Sequence, residues 1–195
     1  MKWSSELKIN IPEAWNVIRL RDILLKNSES VEIKNDISTI DLSIMPSNSF
    51  SISNLNVSDN FTTNLYKMNE GDLLFGSIRP YLHKAGIAPV NGYVAGTIHS
   101  YTVKNDYDYN LALFILTSMD VFNYAVRVSS GTKMPVVSSD NLLDFKFPYS
   151  TEISKMFSTI EIKSKVINNI KEIITLTEKR NYLLPLLING QITID

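Results

Sequence analysis

The chain has 195 residues, a formal net charge of −1, no cysteine and 44% apolar residues. That length suits one ordinary domain with an appendage, and the apolar share is enough for a buried core. Without cysteine there is no disulfide framework, thiolate nucleophile or cysteine zinc site, and two histidines, His83 and His99, are too few for a multi-histidine metal site. Acidic and basic residues nearly balance, 20 against 19, which argues against a polycation that coats nucleic acid at large. No apolar run approaches the ~18 residues of a membrane span, and Met1–Trp15 lacks the apolar stretch of a signal peptide. A cytoplasmic protein with no membrane partner is the expectation.

In chain order, Trp15–Arg19 alternates apolar and polar residues, as an opening strand does, and Leu20–Lys26 reads as a short helix. Residues 37–45 and 72–78 are strand candidates. The Asn- and Ser-rich stretch 47–64 reads as a long irregular loop, either functional or mobile. Asn91-Gly92 lies between the strand-like runs Ala85–Val90 and Tyr93–Val103, and its ease with positive φ predicts a hairpin. Leu111, Phe114, Ile115, Phe122, Ala125 and Val126 recur at helical spacing and predict a core-facing helical stripe over Tyr109–Arg127. A short helix capped by Ser138 or Ser139 and a strand at Phe145–Phe147 follow.

The character of the sequence changes near residue 151. Six of seven prolines and six of seven glycines precede it. Thr151 as N-cap with Glu152 in the first turn predicts a helix start, and Glu152–Leu184 reads as one helix of about 33 residues, about 50 Å long. Met156, Ile160, Ile167, Ile170, Ile174 and Leu184 follow a three-four alternation interrupted by Lys163, Thr177 and Asn181, and Asn181 is a polar seam position able to set register. One helix cannot bury such a stripe, so a coiled-coil partner is expected. Pro185 is expected to end or kink the helix, with Leu186–Ile188 as an apolar tail closed by Asn189-Gly190. The reading is an α+β protein: a globular mixed domain with a twisted sheet over residues 1–150, then a dimerising helix and tail over 151–195.

No nucleotide loop, nucleophile elbow or metalloprotease motif occurs. The carboxylate pairs Glu70/Asp72 and Asp106/Asp108 sit in polar, turn-like contexts that do not suggest a tuned catalytic acid. No catalysis, cofactor or metal is expected. Two segments carry other chemistry. Gly71-Asp-Leu-Leu-Phe-Gly-Ser-Ile-Arg-Pro-Tyr-Leu-His-Lys84 is a strand that ends in a basic, polar turn crowded by Ser77, Arg79, Tyr81, His83 and Lys84. Ser129-Ser-Gly-Thr-Lys-Met-Pro-Val-Val137 is a polar loop carrying Thr132 and Lys133 directly after a helix. Cations and short polar side chains of this kind reach phosphates and base edges. Thr97 and His99 lie on the strand after the Asn-Gly turn, placed either to reach a nucleic-acid groove or to satisfy each other.

These segments, with Ile11-Pro-Glu-Ala-Trp-Asn-Val-Ile-Arg-Leu20 before them, Asn141–Pro148 after them and the C-terminal helix, resemble the target recognition domain of type I restriction-modification specificity subunits. The resemblance implies a non-catalytic DNA-reading subunit that partners double-stranded DNA, methyltransferase subunits and a restriction subunit, with S-adenosylmethionine bound by the methyltransferase. The usual subunit of that family has two recognition domains and two long helices packed antiparallel. One of each here implies a half-subunit that homodimerises to read a bipartite palindrome; a truncated module that pairs with a full specificity subunit without reading DNA is the other reading. Residues 1–151 carry 13 Lys and Arg against 15 Asp and Glu, so non-specific attraction to phosphate should be modest.

Overall fold

The structure is a computed structural model that describes residues 1–192. Twelve strands and six α-helices follow in order: β1 (Lys2–Ser4), β2 (Ile9–Ile11), β3 (Asn16–Arg19), α1 (Leu20–Ile23), β4 (Leu24–Asn27), β5 (Ser38–Ile40), β6 (Asn56–Val57), β7 (Leu65–Met68), β8 (Leu73–Gly76), β9 (Ala85–Ile87), β10 (Gly92–Ala95) and β11 (Ile98–Val103). Then come α2 (Tyr109–Leu116), α3 (Met119–Val128), α4 (Ser139–Leu143), β12 (Lys146–Tyr149), α5 (Thr151–Ser158) and α6 (Ile162–Ile188). The α+β class stands, with strands divided among sheets. One four-stranded sheet runs β6-β5-β10-β7 and the other β4-β11-β8-β9, while β1 pairs with β2 and β3 with β12.

Strand β8 lies at the centre, and each of its four residues is buried. Side chains alternate along a strand, so Leu73 and Phe75 enter a core with the helices, where Phe75 stacks on Phe122 at 5.2 Å. Leu74 faces the other way, into a second core between the sheets with Ile40, Met68, Val94 and Ile98. Asp72 starts this strand as a buried carboxylate. It accepts from Asn27 Nδ2 at 2.8 Å, the Asn69 amide at 2.8 Å, Ser100 Oγ at 3.2 Å and Thr102 Oγ1 at 2.9 Å. That set explains how a charge is tolerated there, and it makes Asp72 a structural group.

Several local expectations change. The helix expected over Leu20–Lys26 stops at Ile23, because Leu24–Asn27 joins β11 as an edge strand. The strand expected over 37–45 ends at Ile40. Asn91-Gly92 closes no hairpin: β9 pairs with β8, and β10 pairs with β7 and β5. Asn91 Oδ1 instead accepts from the Glu70 amide at 2.8 Å. Gly92 is there for space, since a Cβ would lie 2.1 Å from the Ser38 carbonyl oxygen. The stripe over Tyr109–Arg127 is two helices bent by 69°. Val121, Phe122 and Ala125 are buried, but Phe114 and Val126 are exposed. Ser138 caps α4, its side chain accepting from the Asn141 amide. No single helix among the described residues is long and apolar enough to cross a membrane.

The C-terminal region is also revised. Ser150, not Thr151, is the N-cap of α5, accepting from the Ile153 amide. The expected single helix breaks between Ser158 and Ile162. Asn110 Nδ2 donates to the carbonyls of Phe157 and Ile160, each at 2.8 Å, taking acceptors that a continuous helix would use. Ser158 and Thr159 hydroxyls donate back to the carbonyls of Lys155 and Met156, the local competition that weakens helix interiors. Helix α6 has 27 residues, about 40 Å. Pro185 does not end it. The helix runs on to Ile188, with Asn189 as C-cap; Asn181, whose carbonyl loses its donor to the proline, lies on the exposed part of the helix, where water can serve it.

The first turns of α6 are part of the globular fold. Ile167 joins the helix-side core with Ile162 and Val166 beside it, and Ile170 is buried as well. Gly71 shapes this joint. Its φ is +88°, and a Cβ would lie 2.4 Å from Lys163 Cε. Lys163 Nζ sits 4.6 Å from the Tyr109 ring centre, Tyr109 donates to the Gly71 carbonyl at 2.8 Å, and Lys171 pairs with Glu70 at 2.7 Å. The turn that opens β8 therefore seats the long helix. Beyond Lys171 the helix has no buried residue.

Candidate nucleic-acid interface

The basic turn is an excursion between β8 and β9, closed at its base where the Gly76 amide donates to the Lys84 carbonyl at 2.8 Å. Within it Arg79 (φ 50°) and His83 (φ 52°) both take the left-handed conformation on either side of a 3₁₀ turn over Pro80–Leu82. Two such residues without glycine mark a backbone held by its surroundings. Helix α3 holds it from below, with the His83 ring 4.8 Å from that of Phe122.

The Ser129–Val137 segment lies against the near side of this turn. Ser130 and Val136 exchange backbone hydrogen bonds of 3.0 and 2.9 Å, which closes Gly131–Pro135 into a small loop. Its outgoing limb then pairs with the turn: the Arg79 amide donates to the Pro135 carbonyl at 2.7 Å and the Val137 amide to the Ser77 carbonyl at 2.9 Å. Residues some fifty positions apart thus become neighbours, and Thr132 and Lys133 are displayed beside Arg79 and Tyr81.

The nine residues singled out divide into two groups. Arg79, Tyr81, Thr132 and Lys133 are exposed, with Tyr81 at 49%. Among the described residues no carboxylate pairs with Arg79 or Lys133. The other five act as supports. Ser77 is buried, and its amide and hydroxyl both donate to the Thr97 carbonyl, at 2.9 and 2.8 Å. Lys84 Nζ donates to the Leu42 carbonyl at 2.7 Å. His83 Nδ1 lies 2.9 Å from Asn48 Oδ1, within hydrogen-bonding distance. His99 Nε2 donates to the Val137 carbonyl at 3.0 Å, tying the end of the loop to β11. Burial lowers the pKa of His99, and the Val137 contact opposes that shift only in part, so the neutral ring is favoured at this position.

Sequence reasoning missed the segment on the far side of the turn. The Asn48 amide donates to the His83 carbonyl at 3.0 Å, the Ile87 amide donates to the Phe50 carbonyl at 3.1 Å, and Met45 and Ile52 are buried. The first part of the stretch read as a long loop is therefore pinned, leaving Ser47, Asn48 and Ser49 exposed at its tip. Apolar Phe50 and Ile52 within an otherwise polar stretch were the available signal. Three segments, 131–135, 79–82 and 47–49, thus lie side by side at one end of β8. Among the described residues no group of three His, Asp or Glu could hold a metal ion.

The seam residues also divide. Ile167 and Ile170 are buried against their own domain and Ile174 is half-buried, whereas Met156, Ile160, Asn181 and Leu184 are exposed. Ile173, Leu176, Tyr182 and Leu183, not singled out before, are exposed too. The free part of α6 therefore carries a bare apolar face made largely of residues other than the first two of the seam.

No family model matches the sequence, and no curated protein matches it. Solved structures do match the fold. A chain from a structure on complex assembly and conformational transition of the type I restriction-modification system superposes with a TM-score of 0.62 at 16% identity, over 94% of this chain and 50% of its own. The HsdS subunit from Thermoanaerobacter tengcongensis gives 0.61 at 16% identity, over 90% of this chain and 48% of its own. The type I system S subunit from M. genitalium gives 0.46 at 12% identity, over 94% and 45%. The fold is that of a type I restriction-modification specificity subunit. The chain spans about half the length of the structures that share it.

Proposed function

We propose that the chain is a non-catalytic, sequence-specific DNA recognition component of a type I restriction-modification assembly. The observation that carries this reading is the joining of two segments, distant in sequence, into one exposed rim in which Arg79 and Lys133 are cations with no carboxylate partner among the described residues, and Tyr81 and Thr132 offer polar groups. The rim sits on a fold shared with specificity subunits. Arginine suits guanine edges or phosphate, and lysine suits phosphate. Ser77, His83, Lys84, Thr97 and His99 serve as the scaffold of that rim.

In this reading the free part of α6, with Ile174, Asn181 and Leu184 in its seam, pairs with the same helix of a second copy, and the pair reads an interrupted palindrome. Residues 1–150 recognise and 151–195 space and dimerise, although the docking of α5 and the first turns of α6 makes the two continuous in space. Methyltransferase subunits, carrying S-adenosylmethionine, and a restriction subunit supply the chemistry. The slight acidity of residues 1–151 favours weak binding by one copy and affinity gained through assembly. It equally suits the second reading, a module that pairs with a full specificity subunit without touching DNA.

Selection from a random duplex pool, with and without methyltransferase subunits, tests the proposal together with the mass of the chain in solution. A bipartite inverted motif and a dimeric mass are expected. No enrichment in either setting would overturn DNA reading, and a strict monomer at micromolar concentration would overturn self-pairing.

A further inference from the structure

The pinned segment beside the basic turn points to a reader that the DNA-recognition reading does not yet include. Asn48 lies at its exposed tip in the left-handed conformation, φ 55°. Two contacts with one residue hold it there: its amide donates to the His83 carbonyl, and its side-chain Oδ1 lies 2.9 Å from His83 Nδ1. An amide oxygen only accepts, so Oδ1 facing the ring goes with the Nδ1–H tautomer of His83. The oxygen turns inward to the imidazole. The Nδ2 group is left outward, with no partner among the described residues. His83 is itself immobilised by the Phe122 ring and by its place at the end of the 3₁₀ turn.

We infer that Asn48 is a specificity-determining residue of the rim and that His83 is its positioning residue, so that Asn48 presents donors to an acceptor on a base edge. This rests on the DNA-recognition reading above and adds a third segment to it. The oriented amide makes the prediction chemical. A free asparagine reads adenine by donating to N7 and accepting from N6. With Oδ1 engaged by His83, acceptance from N6 is disfavoured, and the acceptor-rich guanine edge, N7 and O6, is preferred. Exposed Ser47 and Ser49 flank it and tolerate close approach by a base pair.

The test compares variants of the full chain on the motif selected by the wild type, using duplexes changed one base pair at a time. Asn48→Gly removes the amide without straining the left-handed backbone. It should reduce discrimination at one G·C pair roughly tenfold and leave the other positions as they were. His83→Phe keeps a ring against Phe122 but frees the amide, and it should raise acceptance of A·T at that same pair. A wild-type motif whose every position survives Asn48→Gly unchanged would overturn this inference alone. Absence of any wild-type motif would overturn the DNA-recognition reading, and the inference with it.

Discussion

Strand β8 and helix α6 are the two extremes of this molecule. Four residues of β8 are buried on both faces and set between two cores. Of the 27 residues of α6 only Ile167 and Ile170 are buried, and beyond Lys171, which pairs with Glu70, the helix relies on its own backbone hydrogen bonds. The strand has no stability of its own and is held wholly by its neighbours. The helix is locally self-consistent but carries an apolar face that no other described residue covers. One element is a foundation for the rim, and the other is half of an interface.

Substitutions should reveal that contrast as a gradient. Phe75→Ala removes a buried ring stacked on Phe122 and should cost about 3–5 kcal/mol, measured by urea unfolding. Asp72→Ala leaves Asn27, Ser100 and Thr102 without their shared acceptor and should cost about 3 kcal/mol. If it costs under about 1 kcal/mol, the strand is held by packing alone.

A smaller effect is expected from pH. His99 has a folded pKa below its ordinary value of 6.5, so folding favours the neutral ring. Its contribution is fully present above about 6.5 and is lost as pH falls through the depressed folded value. Thermal unfolding of His99→Gln should therefore vary less with pH across that window than the wild type. At the far end, Leu176→Ser, at a residue 55% exposed, should change stability at dilute concentration by less than about 0.5 kcal/mol. The same variant should lower the assembled mass in solution. A large loss of stability with no change in mass would show that α6 folds back on its own domain.

Much of the fold was legible where one residue type has one physical use. The Trp15–Arg19 strand, a serine cap at 138 or 139, the strand within 72–78 and the closing Asn189-Gly190 all follow from alternation, capping or turn preference. The Asn91-Gly92 hairpin did not materialise, because Gly92 is needed for its small size against Ser38 and Asn91 for its side-chain oxygen. The rim was legible in composition but not in roles. Ser77, His83, Lys84 and His99 have the chemistry of DNA contacts, yet each spends its polar group on a carbonyl or amide of its own chain.

The sequence by itself determined the α+β class, the position of the basic turn and the polar loop, and the presence of a helical arm with an apolar face. These depend on periodicity and on residue chemistry within short windows. Only the tertiary structure decided that the arm breaks at residues 159–161, that its first turns belong to the domain, and which four of nine polar residues face outward. The reason is common to all three. Each depends on a partner far away in the chain: Asn110 for the break, Gly71 and Tyr109 for the docking, and Thr97, Val137 and Asn48 for the supports.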